Sequence, residues 1–275
     1  MNKLFGNLGA AALVLSISAC DFQGLGNQSS SALDLNQVIS AGVSPTPPPV
    51  LPPVPTPGAS ASSFKIVIIG SSTAAGTGAS SYANSWVSKM YTDLNYLAGV
   101  TLIQNNLALG GLNSSNLATT GMADRNITKA LSLNPSLIIV ALTGGNDLSS
   151  GVSETTYFSN LDDIKSAALA RHVPIFFTGT SPKTAVTYDQ RQELKTWNEG
   201  MLVREASCTT PLQDHYSPCF INVFMGLADP STLMINSTYA YGDGTHLNDR
   251  GHAYYESVVL PVVKEYLCSL FHCIH

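Results

Sequence analysis

Short apolar runs alternate with longer amphipathic stretches along the chain after residue 62. The short runs are typical of strands buried on both faces, and we predict five, at residues 65–69, 100–107, 137–142, 173–178 and 220–224. The apolar spacing between them predicts helices over 85–97, 114–131, 154–170, 189–206 and 248–267. This alternation predicts a three-layer α/β/α sandwich around a mostly parallel, flavodoxin-like five-stranded sheet. Pro261 lies inside the last helical pattern and predicts a kink or a split there.

The first part of the chain has a different pattern. Residues 1–20 combine Lys3, an apolar stretch and small residues before Cys20, which predicts a secretory signal. The sequence at 17–20, ISAC, resembles a bacterial lipobox. It predicts that Cys20 is lipidated and anchors the protein to a membrane of the bacterial cell envelope, facing the periplasm or the exterior. The alternative is an ordinary signal peptide with an incidental cysteine.

Residues 21–62 show no apolar periodicity and are crowded with proline, which predicts a semi-rigid extended tether. The remaining residues, 63–275, have the length of one domain, and we expect it to be monomeric. The formal net charge of −5 leaves no basic surface, so the composition argues against a nucleic-acid partner.

Four cysteines follow Cys20, and export makes disulfides the expected state. Three pairings are possible, and proximity in sequence favours Cys208 with Cys219 and Cys268 with Cys273. The alternative is a metal site, because two histidines accompany the last two cysteines. Their spacing matches no familiar zinc pattern, so we predict neither a metal nor another cofactor.

The first predicted strand ends in a turn with candidate chemistry. Residues 64–78 read FKIVIIGSSTAAGTG, and a small polar residue after such a strand lies where open α/β sheets bind ligands. The turn lacks the lysine of a phosphate loop and the third glycine of a dinucleotide fingerprint. An ordinary connecting turn and a nucleophilic serine remain. A nucleophilic serine requires a histidine and a carboxylate elsewhere.

Four short motifs in order supply these groups and carry a family resemblance. The chain resembles the SGNH hydrolases, also called the GDSL esterase/lipase family. The motifs that match are Gly70-Ser71-Ser72, Gly111, Gly144-Gly145-Asn146-Asp147 and Asp243-Gly244-Thr245-His246. In the predicted sheet, all four lie at the same edge, where the cleft of such a fold opens.

The resemblance implies serine-dependent acyl transfer. It assigns Ser72 as the nucleophile, His246 as the general base and Asp243 as the residue that orients the imidazole. Backbone N–H groups of Ser72 and Gly111 and the side-chain amide of Asn146 would form the oxyanion hole.

The family's G-D-S motif has an aspartate where this chain has Ser71. The chain therefore has two adjacent serines, and the third position of the motif assigns the nucleophile to Ser72. Asp147 is expected to fix its loop rather than to take part in the chemistry. His252 is expected to be a packing or surface residue, and His172 to end a helix. For His215, substrate contact and a plain loop position both stay open.

The natural ester is not fixed by these motifs. A tethered envelope enzyme with no apolar lid favours short, acetyl-like acyl groups on glycans or other small esters. Longer acyl chains, as for a lysophospholipase, lipase or thioesterase, are the alternative, and water or a sugar hydroxyl could accept the acyl group. A lipoprotein that keeps the fold only to bind glycans is a second alternative. It would not need Ser72, Asn146, Asp243 and His246 together.

Overall fold

A five-stranded, all-parallel sheet forms the middle layer of the fold, in the order β2-β1-β3-β4-β5. The computed structural model describes residues 63–95, 100–205 and 219–271. The strands are β1 (Ser63–Ile69), β2 (Thr101–Asn106), β3 (Leu137–Ala141), β4 (Ile175–Thr178) and β5 (Phe220–Ile221). The predicted three-layer, parallel fold is therefore confirmed, although β4 and β5 are shorter than the apolar runs suggested.

Nine α-helices connect the strands within the described residues. They are α1 (Ser72–Ala75), α2 (Trp86–Leu94), α3 (Ser114–Leu117), α4 (Ile127–Ser132), α5 (Gly144–Ser149), α6 (Glu154–Leu169), α7 (Tyr188–Arg204), α8 (Phe224–Leu227) and α9 (Asp249–Phe271). Helices α2 and α9 pack together on one face of the sheet, while α3, α4 and α6 pack on the other.

Strand β1 shows why both faces of the sheet are covered. Successive side chains of a strand point to opposite faces. Ile66 and Ile68 join the core under α2 and α9, whereas Val67 and Ile69 join the core under α4 and α6. All four side chains are essentially fully buried, which explains the unbroken apolar run in the sequence.

One helix prediction was wrong, and one of the two alternatives predicted at Pro261 is excluded. The single helix expected over 114–131 is two short helices, α3 and α4, separated by a turn around Gly121. A Cβ on Gly121 would lie 2.3 Å from the Asn116 carbonyl oxygen, and Asn126 caps the second helix through the Lys129 N–H. Pro261 does not split α9, which runs continuously. Val259 and Val263 on either side of it are fully buried, so packing outweighs the hydrogen bond that proline removes.

Several expectations concern residues outside those described. They include the signal and tether over 1–62, the lipidation of Cys20, the role of His215, and the predicted disulfides of Cys208 and Cys273. The pairings of Cys219 and Cys268 therefore stay predictions. In the part of the chain that the structure describes, no helix combines the length and apolarity that a membrane crossing requires.

Candidate active site

The carboxyl ends of β1, β3 and β4 open into one polar cavity. Ser71 and Ser72 follow β1, Asn146 lies in α5 after β3, and Lys183 lies in the loop after β4. Thr245, from the Asp-Gly-Thr-His segment, completes the wall. The parallel topology thus brings three of the four sequence motifs to one cavity, at the sheet edge that the sequence predicted.

Hydrogen bonds fix both the nitrogen and the oxygen of the Asn146 side-chain amide. Its nitrogen donates to Ser71 Oγ at 2.6 Å and to the Leu112 carbonyl at 2.8 Å. Its oxygen accepts from Lys183 Nζ at 3.1 Å. Ser71 lines the cavity and Leu112 does not, so the N–H that points at Ser71 is the one that faces the cavity.

The two adjacent serines differ in their surroundings. Ser71 precedes α1 in extended conformation, is 7% exposed, and is bonded to Asn146. Ser72 is the first residue of α1 and half-buried, so its backbone N–H has no partner within the helix. Both line the cavity. The Ser71 hydroxyl thus accepts a hydrogen bond from the Asn146 amide, whereas the Ser72 hydroxyl makes no hydrogen bond within the described residues.

Asp243 and His246 form a short, well-defined pair. Asp243 Oδ2 lies 2.6 Å from His246 Nδ1, and Asp243 Oδ1 accepts from the backbone N–H groups of Thr245 and His246, each at 2.9 Å. Burial on its own would raise the pKa of Asp243. The hydrogen bonds from His246 and Thr245 outweigh it and lower that pKa to about 2. The carboxylate is therefore ionised at neutral pH and binds the Nδ1 side of the ring.

Gly78 lets the histidine segment lie against the turn that follows α1. Its φ is +92°, and an added Cβ would be 3.0 Å from His246 Cβ and 2.3 Å from the Leu247 carbonyl oxygen. A side chain there would push the two segments apart. The serine turn and the histidine segment are thus in direct contact.

Asp147 joins two of the loops below the cavity. The side chain is fully buried, and it accepts from the Ser114 N–H at 2.9 Å, the Ser114 hydroxyl at 2.5 Å and the Thr143 hydroxyl at 2.7 Å. Burial raises its pKa despite these hydrogen bonds. The contacts connect the start of α3 to the start of α5. They support the expectation that Asp147 fixes its loop.

The neighbouring glycines after β2 differ in position. A Cβ on Gly110 would lie 3.8 Å from Ser72 Cβ, whereas one on Gly111 would have no atom within 4 Å. Gly111 has a φ of +86°. The side of Gly110 that a Cβ would occupy therefore faces Ser72, while the motif assigns the oxyanion-hole N–H to Gly111.

The other histidines in the described residues make no hydrogen bond to the serines, Asn146 or Asp243. His252 is fully buried and its ring nitrogens lie within hydrogen-bond distance of the Thr77 carbonyl and the Trp86 N–H. Burial lowers its pKa. His172 lies in the turn after α6. No cluster of three or more metal-ligating side chains is present among the described residues.

Sequence reasoning missed the loop between β4 and α7. Thr180, Ser181 and Lys183 line the cavity from this loop, and none of them belongs to a motif. The signal that could have found them is topological, because the loop follows a central parallel strand and must open at the same sheet edge.

Comparison with known proteins identifies a family by sequence and a shared fold by structure. A model of the GDSL-like lipase/acylhydrolase family matches residues 68–254. The fold is similar to a lipase/acylhydrolase from Enterococcus faecalis (15% identity, TM-score 0.55, covering 74% of this chain and 96% of that one). It is also similar to the psychrotrophic esterase EstA from Pseudoalteromonas (15% identity, TM-score 0.54, 74% and 98%).

A two-domain esterase active on acetylated mannans has the same fold as well (16% identity, TM-score 0.50). That alignment covers 75% of this chain and 51% of the esterase. No curated protein sequence matches the chain.

Proposed function

The chain belongs to the GDSL-like lipase/acylhydrolase family and is a serine ester hydrolase, and we propose that Ser72, His246 and Asp243 are its catalytic triad. The observation that carries the proposal is the Asp243–His246 pair, 2.6 Å apart, in a segment packed against the turn after Ser72. A serine hydroxyl needs a neighbouring base to act as a nucleophile near neutral pH.

In the proposed reaction, Ser72 Oγ attacks the ester carbonyl and His246 Nε2 takes its proton. The same imidazole then gives the proton to the leaving alcohol, and a water attacks the acyl-enzyme by the reverse sequence. Asp243 holds the proton on Nδ1, which leaves Nε2 free to act as the base. Its low pKa supports this role, because the carboxylate stays ionised throughout.

The oxyanion would be stabilised by the Ser72 N–H, a glycine N–H and the Asn146 amide. Both N–H bonds of Asn146 are used in the free enzyme, one of them by the Ser71 hydroxyl. The oxyanion would replace the Ser71 Oγ as the acceptor of this N–H, because the Ser71 side chain can rotate away from Asn146. For the glycine, the motif assigns Gly111.

We infer a small, polar ester as the substrate, such as an acetylated glycan. Hydroxyl, amide and ammonium groups dominate the cavity wall, with few apolar groups to bind a long acyl chain. The similar fold of the esterase active on acetylated mannans is consistent with this inference.

A chain-length series of p-nitrophenyl esters, from acetate to palmitate, tests both parts of the proposal. We expect kcat/KM to be highest for acetate. A strong preference for palmitate would instead indicate a lipase, lysophospholipase or thioesterase, and no turnover of any ester would refute the proposed triad.

We also propose that the protein is an envelope lipoprotein anchored through Cys20, with residues 21–62 as a tether and 63–275 as a monomeric hydrolase domain. The ISAC sequence at 17–20 supports the anchor. Membrane fractionation of a Cys20→Ala variant provides the test: the variant should leave the membrane fraction, and unchanged association would contradict the proposal.

A further inference from the structure

Lys183 lines the candidate site, although it belongs to none of the four motifs. Its ammonium nitrogen is 3.1 Å from the Asn146 side-chain oxygen, and the residue lines the cavity. We propose that Lys183 is a positioning residue for acyl transfer, which fixes the Asn146 amide so that one of its N–H groups faces Ser71 and the cavity. This inference rests on the proposed function of the site.

The chemistry of the lysine determines which way the amide points. An ammonium group donates hydrogen bonds and cannot accept them. It must therefore face the amide oxygen of Asn146, because the flipped amide would bring two donors together. With the oxygen held by Lys183, the nitrogen lies toward Ser71 Oγ at 2.6 Å. The lysine and the Leu112 carbonyl, which accepts from the same nitrogen at 2.8 Å, thus favour the one orientation that an oxyanion hole needs.

The second position of the Gly-Gly-Asn-Asp motif makes room for the lysine. A Cβ on Gly145 would lie 2.4 Å from Lys183 Cε and 3.0 Å from Lys183 Cδ. The aliphatic stem therefore occupies the space that any larger residue at 145 would fill. The loop that carries Lys183 is also fixed, because the N–H groups of Thr184 and Ala185 both donate to the Gly244 carbonyl. The loop that carries Lys183 thus connects the asparagine and histidine motifs.

The charge of Lys183 is not neutralised by a direct ion pair within the described residues. Burial lowers its pKa, and the more distant Asp243 carboxylate partly opposes that effect. A cation in contact with the amide oxygen polarises the amide and makes its N–H groups better donors. The effect is greatest in the transition state, where negative charge develops on the substrate oxygen.

Lys183→Met removes the ammonium and keeps most of the stem, so it tests the proposal directly. On p-nitrophenyl acetate we expect kcat to fall about 10- to 100-fold, with KM changed by less than about threefold, because one charged hydrogen bond to a transition-state donor is lost. Lys183→Arg, which keeps a cationic donor, should recover much of the loss. Lys264→Met, at an exposed lysine of α9, is the matched control and should retain wild-type kcat.

A double-mutant cycle separates action through Asn146 from other roles. In an Asn146→Ala background, Lys183→Met should have little further effect on kcat. Additive losses, or an unchanged kcat in the single variant, would overturn the proposal. So would a raised KM with normal kcat, which would indicate that Lys183 binds the substrate directly.

Thermal melts establish that each variant is folded, and Lys183→Gln, a smaller polar change, replaces Lys183→Met if that variant does not fold. Wild-type turnover separates this inference from the proposed function. If the wild-type protein hydrolyses no ester, the proposed function fails. If it does and Lys183→Met is unaffected, only the role of Lys183 fails.

Discussion

Replacing Ser71 and Ser72 one at a time by alanine gives the sharpest test of the site, because the two serines are adjacent in sequence and line the same cavity. Removing the nucleophile of a triad costs on the order of 10⁶ in kcat. We therefore expect Ser72→Ala to retain almost no turnover. Its fold should be intact, since no hydrogen bond of the Ser72 hydroxyl to another described residue would be lost.

The expected effect of Ser71→Ala follows from its contact with Asn146. The substitution removes the acceptor of a 2.6 Å hydrogen bond and leaves one amide N–H unpaired in a partly buried site. Such a loss costs about 1–3 kcal/mol, mostly in the free enzyme. Even if all of it reached the transition state, kcat would fall only about 5- to 150-fold. The two variants should thus differ by about four orders of magnitude or more.

The assay is p-nitrophenyl acetate hydrolysis, combined with fluorophosphonate labelling and peptide mass spectrometry. The label should be on Ser72 in the wild-type protein and in Ser71→Ala, and it should be absent from Ser72→Ala. An adduct on Ser71, or near-normal turnover by Ser72→Ala, would refute the assignment. Ser71→Thr is a useful control, because it keeps a hydroxyl for Asn146 and should lose less activity than Ser71→Ala.

Three further substitutions test the surroundings of the site. Asp147→Ala should lower the free energy of unfolding by about 1–3 kcal/mol, because a buried backbone donor loses its acceptor; an unchanged urea midpoint would contradict this. Asp243→Asn should lower kcat about 10⁴-fold, because the proton is no longer held on Nδ1 of His246. A loss of less than tenfold would show that Asp243 is not part of the triad. Hydrogen bonds, above all the one from the Ser231 hydroxyl, lower the pKa of Asp229 from 3.8 to about 2. The ionised carboxylate therefore stabilises the folded protein at pH values above the unfolded-state pKa of 3.8, and this stabilisation is lost as the pH falls through about 2. Asp229→Asn should therefore destabilise the protein more at pH 7 than at pH 3 in urea unfolding, and an equal effect at both would count against this.

The strand pattern and the motifs were enough to predict the fold and the grouping of the site. Buried apolar runs separated by helical stretches allow few arrangements other than a parallel sheet, and in such a sheet all strand ends of one kind meet at one edge. Ser72 and Asn146 follow β1 and β3, so chain order alone placed them at one sheet edge. The adjacency of β1 and β3 in the sheet then brings them into one cavity. The local pairing of Asp243 with His246 was likewise available, since three residues of separation fit within one turn.

Only the tertiary structure determined the contacts that depend on where loop side chains point. The sequence predicted neither the contact of Lys183 with Asn146 nor the approach of Gly110 to Ser72. The helix predicted over 114–131 was wrong because a close approach at Gly121 is invisible to periodicity. Pro261 shows the reverse effect, since burial of the flanking valines keeps a helix intact that local propensity would break. Periodicity reports which residues face the core, whereas contacts between loops depend on distances that only the packed chain defines.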